Sequence, residues 1–320
     1  MQYILRKVLT TLITLVLVSL MILFVFQILP GNPAQIILGV EADENQIKVL
    51  EEELGLNKPI MDRYLDWISG ILRGEMGRSI KYKMPVANLL KTRFPVTLFL
   101  TLYSLALTIC IGVPLGLWIA ARDGKWYSVF ASTLTQLGVS IPAFWMGFIL
   151  IHIFGVKLGW FPTFGFNLSG VNFLQKMYRY FLPALAISVS NIAIVVRYLR
   201  STLLDQIRQE YVRTARIKGL KTHQWLFRHV LRNALIPVLT ILGIIMTSSI
   251  GGSIVIENVF ALPGLGSLMV QSVSSRDFPL IQSLVFFIAT MVILINFAVD
   301  VLYQVDRKST RLNSSHLELS

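Results

Sequence analysis

Six apolar runs, each close to the ~20 residues that cross a hydrocarbon core, dominate this sequence: 8–29, 97–121, 131–156, 182–196, 236–256 and 280–305. A helix can bury such a run in lipid because it satisfies its own backbone donors and acceptors. The runs therefore predict an all-α membrane protein with six transmembrane helices, the fourth the shortest. Composition agrees. Of 320 residues 14% are charged and 54% hydrophobic, whereas a soluble domain carries about a quarter charged residues.

The first run follows Arg6 and Lys7, as a signal peptide would. Its apolar stretch is too long for one, and Leu29-Pro30-Gly31-Asn32-Pro33 is not a small-residue cleavage site. Residues 1–29 are therefore an N-terminal anchor span. Basic residues in short loops set orientation. With the N-terminus inside, the inner side holds Arg6, Lys7, Arg122, Lys125 and nine more from Arg197 to Arg232, against Lys157, Lys176, Arg179 and Arg276 outside. Both termini are expected in the cytoplasm, and the formal charge of +12 reads as membrane topology, with no nucleic acid among the partners.

The segment 30–96 is expected to be an extracellular helical loop region. Ile47, Leu50 and Leu54 recur at helical spacing and Gly55 closes that helix. Asn57-Lys58-Pro59 opens a second, with Tyr64, Leu65, Ile68 and Leu72 on one side. Such a region either caps the bundle or docks an extracellular partner. Residues 97–306 form a five-span core, and 307–320, polar and without helical period, read as a non-native tail.

Transport needs an energy source. Gly124-Lys125 is followed by Trp126 and lacks the upstream glycine of a phosphate loop. Within the runs only His152 and Asp300 can ionise, and both lie near span ends, unlike the mid-membrane groups of ion-coupled carriers. The four histidines, His152, His223, His229 and His316, have no metal or triad spacing, and Cys110 is the only cysteine. No catalytic residue, metal ligand or bound cofactor is therefore assigned, and the driving force must come from a partner.

The cytoplasmic loop 197–235 sets nine basic residues against Asp205 and Glu210 alone. Residues 211–218 read as a helix, Gly219 as a break, and 222–233 as a second helix ending before Pro237. Two short helices with a glycine bend make a knob able to pass displacement from a soluble motor to the spans.

The run YVRTARIKGLKTHQWLFRHVLRNALIP (211–237) closely resembles the coupling loop of ABC importer permease subunits, in the dipeptide, oligopeptide and nickel branch. Ala215 and Gly219 match the wider family's E-A-A-x-x-x-G pattern, while Arg213 and Thr214 replace its first two letters, as is typical of the branch. The resemblance spans about 3–306 and includes ILPGNP (28–33), ELGLNKP (53–59), RGEMGRSI (73–80), FPVTLFLTL (94–102), SIPAFWMG (140–147), LGWFPTFG (158–165), ENVFALPGLG (257–266) and RDFPLIQ (276–282).

The resemblance implies a type I ABC importer permease fold and the role of transmembrane permease subunit in an ATP-driven, binding-protein-dependent importer of dipeptides or oligopeptides. Nickel or a metal chelate is the alternative cargo, and an ion-coupled secondary transporter the alternative class. Implied partners are a sister permease, two cytoplasmic ATPase subunits that hold ATP and Mg, an extracellular solute-binding protein, and the lipid of a prokaryotic plasma membrane. Arg213, Thr214, Ala215 and Gly219 would form the ATPase-coupling loop. Small or polar residues buried between helices often line a ligand path. Ser140, Pro142, Asn191, Ser249, Gly252 and Ser253 qualify, and each could equally serve helix packing.

Overall fold

The structure, a computed structural model, describes residues 2–28, 33–38, 43–53, 57–164, 170–226 and 230–317. In chain order the helices are α1 (Gln2–Ile28), α2 (Pro33–Leu38), α3 (Glu44–Glu53), α4 (Ile60–Leu72), α5 (Val86–Ala121), α6 (Trp126–Ser140), α7 (Ala143–Leu150), α8 (Phe173–Ile207), α9 (Glu210–Ile217), α10 (Thr222–Trp225), α11 (Leu231–Val259), α12 (Leu265–Ser274) and α13 (Phe278–Leu317), with a π-helical stretch, Ile151–Lys157, following α7. The β-structure among the described residues is one isolated bridge, Arg78 to Pro85. Leu54, Gly55, residues 29–32 of ILPGNP and Gly165 lie outside the described residues.

Five helices are long and apolar enough to cross a membrane, and a bent pair, counted as one span, makes six. That pair holds the third run, which is not one straight helix: α6 and the stretch from α7 to Lys157 meet at 104°. Proline disfavours α-conformation in the residue before it, and Ile141 is extended, with φ −91° and ψ 117°. The break leaves carbonyls that need donors. The Ser190 hydroxyl on α8 donates to Gly138 O at 3.1 Å and Ile141 O at 3.4 Å, which makes broken helix tolerable inside a membrane.

Two further expectations change. The fourth span is not short: α8 runs 35 residues, because the charges that closed the hydropathic run (Lys176 and Arg179 before it, Arg197 and Arg200 after it) do not stop the helix. Pro237 lies inside α11, where the sequence reading ended a helix before it; transmembrane helices tolerate the lost N–H.

The chain divides into two compact units. One comprises residues 1–96 and 263–294, the other 97–262 and 295–320. In the first, Val86, Leu89 and Leu90 pack with Leu265, Leu268, Leu280 and Leu284 as a buried cluster. Beside it the buried Asp277 carboxylate accepts from the Ser79 hydroxyl at 2.5 Å, Lys81 N at 3.1 Å and Leu280 N at 3.3 Å. It thus caps α13 and fixes the 75–85 loop together. On α4 the half-buried face is Tyr64, Trp67, Ile68 and Ile71. Leu65 and Leu72, expected on that side, are exposed. Tyr64 Oη lies 2.7 Å from Ser19 Oγ on α1, and Trp67 packs edge-on against Phe286 with centroids 5.4 Å apart.

In the second unit α8 is the central helix. Gly112 and Gly116 on α5 lie against it so closely that a Cβ would stand 3.2 Å from Val195 Cγ1 and 3.0 Å from Leu199 Cδ2. Small residues four apart admit such backbone approach between membrane helices.

Candidate functional site

The basic loop is built around α9. Its inner residues, Val212 and Ala215, are buried and belong to a core with Leu199 and Leu203 of α8, Trp225 of α10, and Ala234 and Val238 of α11. Arg213, Thr214, Ile217 and Lys218 are exposed. The helix ends in a Schellman arrangement: Gly219 N donates to Arg216 O at 2.9 Å and Leu220 N to Ala215 O at 3.3 Å. Gly219 has φ +78°, a left-handed conformation that a β-carbon disfavours. No heavy atom lies within 4 Å of where that carbon would be, so the glycine serves conformation and not clearance.

The four residues expected in a coupling loop divide. Arg213 and Thr214 face outward, and the ion pair from Arg213 to Glu210 is long at 4.0 Å with both side chains well exposed, so it adds little. Ala215 faces the protein's own core. Val212 and Ala215 thus tie α9 to α8 and α11 through one buried cluster.

The candidate path residues also divide. Asn191 Nδ2 on α8 donates to Ser249 Oγ on α11 at 3.0 Å, and both residues are buried. Ser253, fully buried, returns its hydroxyl to Ile250 O at 2.8 Å. Gly252 is half-buried, while Ser140 and Pro142 at the break are exposed in the isolated chain, contrary to the expectation of burial. On α5 and α8, Ser104 and Ser188 continue the polar seam, the Ser188 hydroxyl donating to Ser104 O at 3.0 Å.

One ionisable residue escaped the sequence reading. Glu257 is fully buried and lies within the candidate span Asn233–Val259. The hydropathic run was closed at Ile256, so the acid counted as loop. Its Oε1 accepts from the Thr97 hydroxyl at 2.6 Å. Buried acids inside spans are rare and functional by default, so Glu257 joins His152 and Asp300 as an ionisable residue within a span, and the longer α8 takes in Lys176, Arg179, Arg197, Arg200 and Asp205 besides. The usable signal was the ENVF run itself, an acid set in apolar sequence without a turn residue before it. Among the described residues no group of three metal-ligating side chains is found.

The fold aligns with inward-facing structures of the MetNI methionine ABC transporter. The TM-score is 0.57 at 20% identity, over 68% of this chain and 95% of that one. It is thus the permease fold of an ABC importer. A family model described as "Binding-protein-dependent transport system inner membrane component" matches residues 112–311, and its N-terminal companion matches 1–101. The glutathione transport system permease protein GsiC of Escherichia coli K12 is 37% identical over 303 residues, 95% of this chain and 96% of that protein. The Salmonella typhimurium protein of the same name is equally similar. The chain belongs to the family of binding-protein-dependent transport system inner membrane components, and is an ABC importer permease subunit. It is a multi-pass membrane protein that works with ATPase and substrate-binding partners, and ATP hydrolysis belongs to those separate subunits.

Proposed function

We propose that this chain is one of two sister permeases in an importer of dipeptides, oligopeptides or peptide-like thiols, with both termini in the cytoplasm. Two ATPase subunits bind below and a solute-binding protein outside. The observation that carries the coupling role is α9: its outer face is free and its inner face is locked into the core of α8 and α11. ATP-driven closure of the ATPases presses on Arg213 and Thr214, and the anchored inner residues turn that push into movement of the two helices. The exposed break at Ser140 and Pro142 and the Asn191–Ser249 contact would line the path that this movement opens. The 37% identity with permeases named for glutathione transport supports a peptide-like cargo.

Glu257 adds a buried acid near the end of a candidate span, so ion coupling is tested directly. The purified chain alone in liposomes should show neither ATPase activity nor solute flux under a proton or sodium gradient. With its sister permease, ATPases and binding protein, ATP should drive uptake of labelled dipeptide and glutathione. Gradient-driven uptake by the isolated chain would overturn the reading. Orientation is tested by cysteines at Lys48 and Lys221 in a Cys110→Ala background: an impermeant thiol reagent should label position 48 from outside, and labelling of 221 alone would invert the topology.

A further inference from the structure

A cleft of about 630 Å³ opens between the α5–α6 turn, the end of α8, and α9–α10, with Asp123, Ile207, Arg208, Arg216, Leu220 and Trp225 among its walls. Its charges are unevenly satisfied. Asp123 is held by Arg200 at 2.6 Å. Arg208 and Arg216 have no ion-pair partner among the described residues; the Arg216 guanidinium lies 4.6 Å above the Trp225 ring, which orients it and leaves its edge N–H donors free. The cleft is therefore cationic by two guanidiniums, with an apolar wall beneath them.

The depth of the cleft is marked by aromatic residues. The α5–α6 turn that contributes Asp123 is flanked by Trp118 in the last turn of α5 and by Trp126 and Tyr127 at the start of α6, with the Arg122 guanidinium 5.1 Å from the Trp118 ring. Trp126 is 79% exposed. Tryptophan and tyrosine collect where hydrocarbon gives way to headgroups. An opening at headgroup level, on the end of the bundle that carries the basic loop, fits that distribution.

We propose that this cleft is a binding site for the phosphodiester headgroup of an anionic phospholipid. Arg208 and Arg216 engage the phosphate, and Ile207, Leu220 and Trp225 cover the glycerol and the first acyl carbons. Planar guanidiniums suit a phosphate that must be held by two of its oxygens, and basic clefts between helices at this level select anionic headgroups. The two arginines belong to different elements: Arg208 caps α8, and Arg216 lies in the last turn of α9. A lipid spanning them would brace α9 against α8, so transport driven through α9 would depend on the charge of the surrounding lipid.

The test uses the full chain and then the whole importer. Delipidated protein is offered phosphatidylglycerol or phosphatidylcholine in detergent, and retained lipid is read by native mass spectrometry. Phosphatidylglycerol should be retained preferentially. The double variant R208Q/R216Q should hold it roughly tenfold less well, while R208K/R216K keeps most of the preference. Free glycerol phosphate should not displace it. In the whole importer, adding phosphatidylglycerol to phosphatidylcholine nanodiscs should raise uptake per ATP hydrolysed for the wild type and not for R208Q/R216Q. Equal retention of the two lipids, or unchanged retention in R208Q/R216Q, overturns the site. Displacement by glycerol phosphate overturns it in favour of a soluble anion. Loss of ATPase subunits from R208Q/R216Q with lipid retention unchanged overturns it in favour of an acidic protein surface.

Discussion

Two short amphipathic helices, α9 and α4, show that length does not decide how firmly a helix is held. The shorter, α9, has 8 residues and buries Val212 and Ala215. The longer, α4, has 13 and buries none. The difference lies in the neighbours. The inner face of α9 meets side chains from α8, α10 and α11 at once, and its last turn is closed by the hydrogen bonds of Gly219 and Leu220. The α4 face touches α1 and Phe286 through Tyr64 and Trp67, and Pro59 opens it without a side-chain cap. A helix met by several neighbours is fixed on several sides; one met on a single face can lie against it.

The sharpest way to break this contrast is a matched pair of acids. Ala215→Asp puts a carboxylate into the core and should destabilise by roughly 3 kcal/mol or more, with loss of ATP-driven uptake. Leu65→Asp, on the exposed side of α4, should stay within about 0.5 kcal/mol. Equal losses of melting temperature in the two variants would erase the distinction. Val212→Ala should cost about 2 kcal/mol from the lost methyl groups and the space they leave, read by thermal unfolding in detergent.

Smaller effects sharpen it. Gly219→Ala should cost about 1 kcal/mol through its positive φ, and lower uptake more than ATPase rate, because the end of α9 then frays. Asparagine, which tolerates that region, should recover part of the loss. Tyr64→Phe removes the bond to Ser19 and should cost about 1 kcal/mol, with uptake unchanged. Least of all, Asp66→Asn should leave unfolding at neutral pH where it was. Asp66, 2.6 Å from the Lys58 ammonium, raises the lysine above its ordinary value of 10.5 by hydrogen bond and charge. A raised lysine stabilises below the unfolded value and loses that contribution only as pH climbs through the folded one. Both groups are exposed, so that contribution is small at every pH and its loss at high pH should be shallow.

Much of this was legible before any coordinates. The apolar runs located the five long candidate spans and the bent pair, the Pro59 opening and the Gly219 break fell where the helices begin and end, and the quoted runs gave the family. What escaped was decided between segments. Hydropathy ends a span where polarity begins, so it shortened α8 and left Glu257 outside α11, although neither helix stops at a charge. The turn at Ile141 was visible as a residue before proline, yet its tolerance depends on Ser190, fifty residues on. Helical spacing on α4 named Leu65 and Leu72 in place of Trp67 and Ile71, because several faces of an apolar helix satisfy the same period. The inward aim of Ala215 needed the position of α8. Helix α13 continues to Leu317, through residues whose polarity suggested a tail.

The carboxylate of Asp277 has a consequence in time. Its partner Ser79 lies 198 residues earlier, and the whole stretch 97–262 is synthesised between the two parts of the first unit. At ~5–20 residues per second, the turn around Ser79 waits roughly 10–40 seconds for the acceptor that fixes it. For that interval the 75–85 loop has neither its carboxylate nor the leucines of α12 and α13. The earliest-made part of the protein is therefore among the last to be completed, and the nascent chain is most open to proteolysis there until residue 277 has been added.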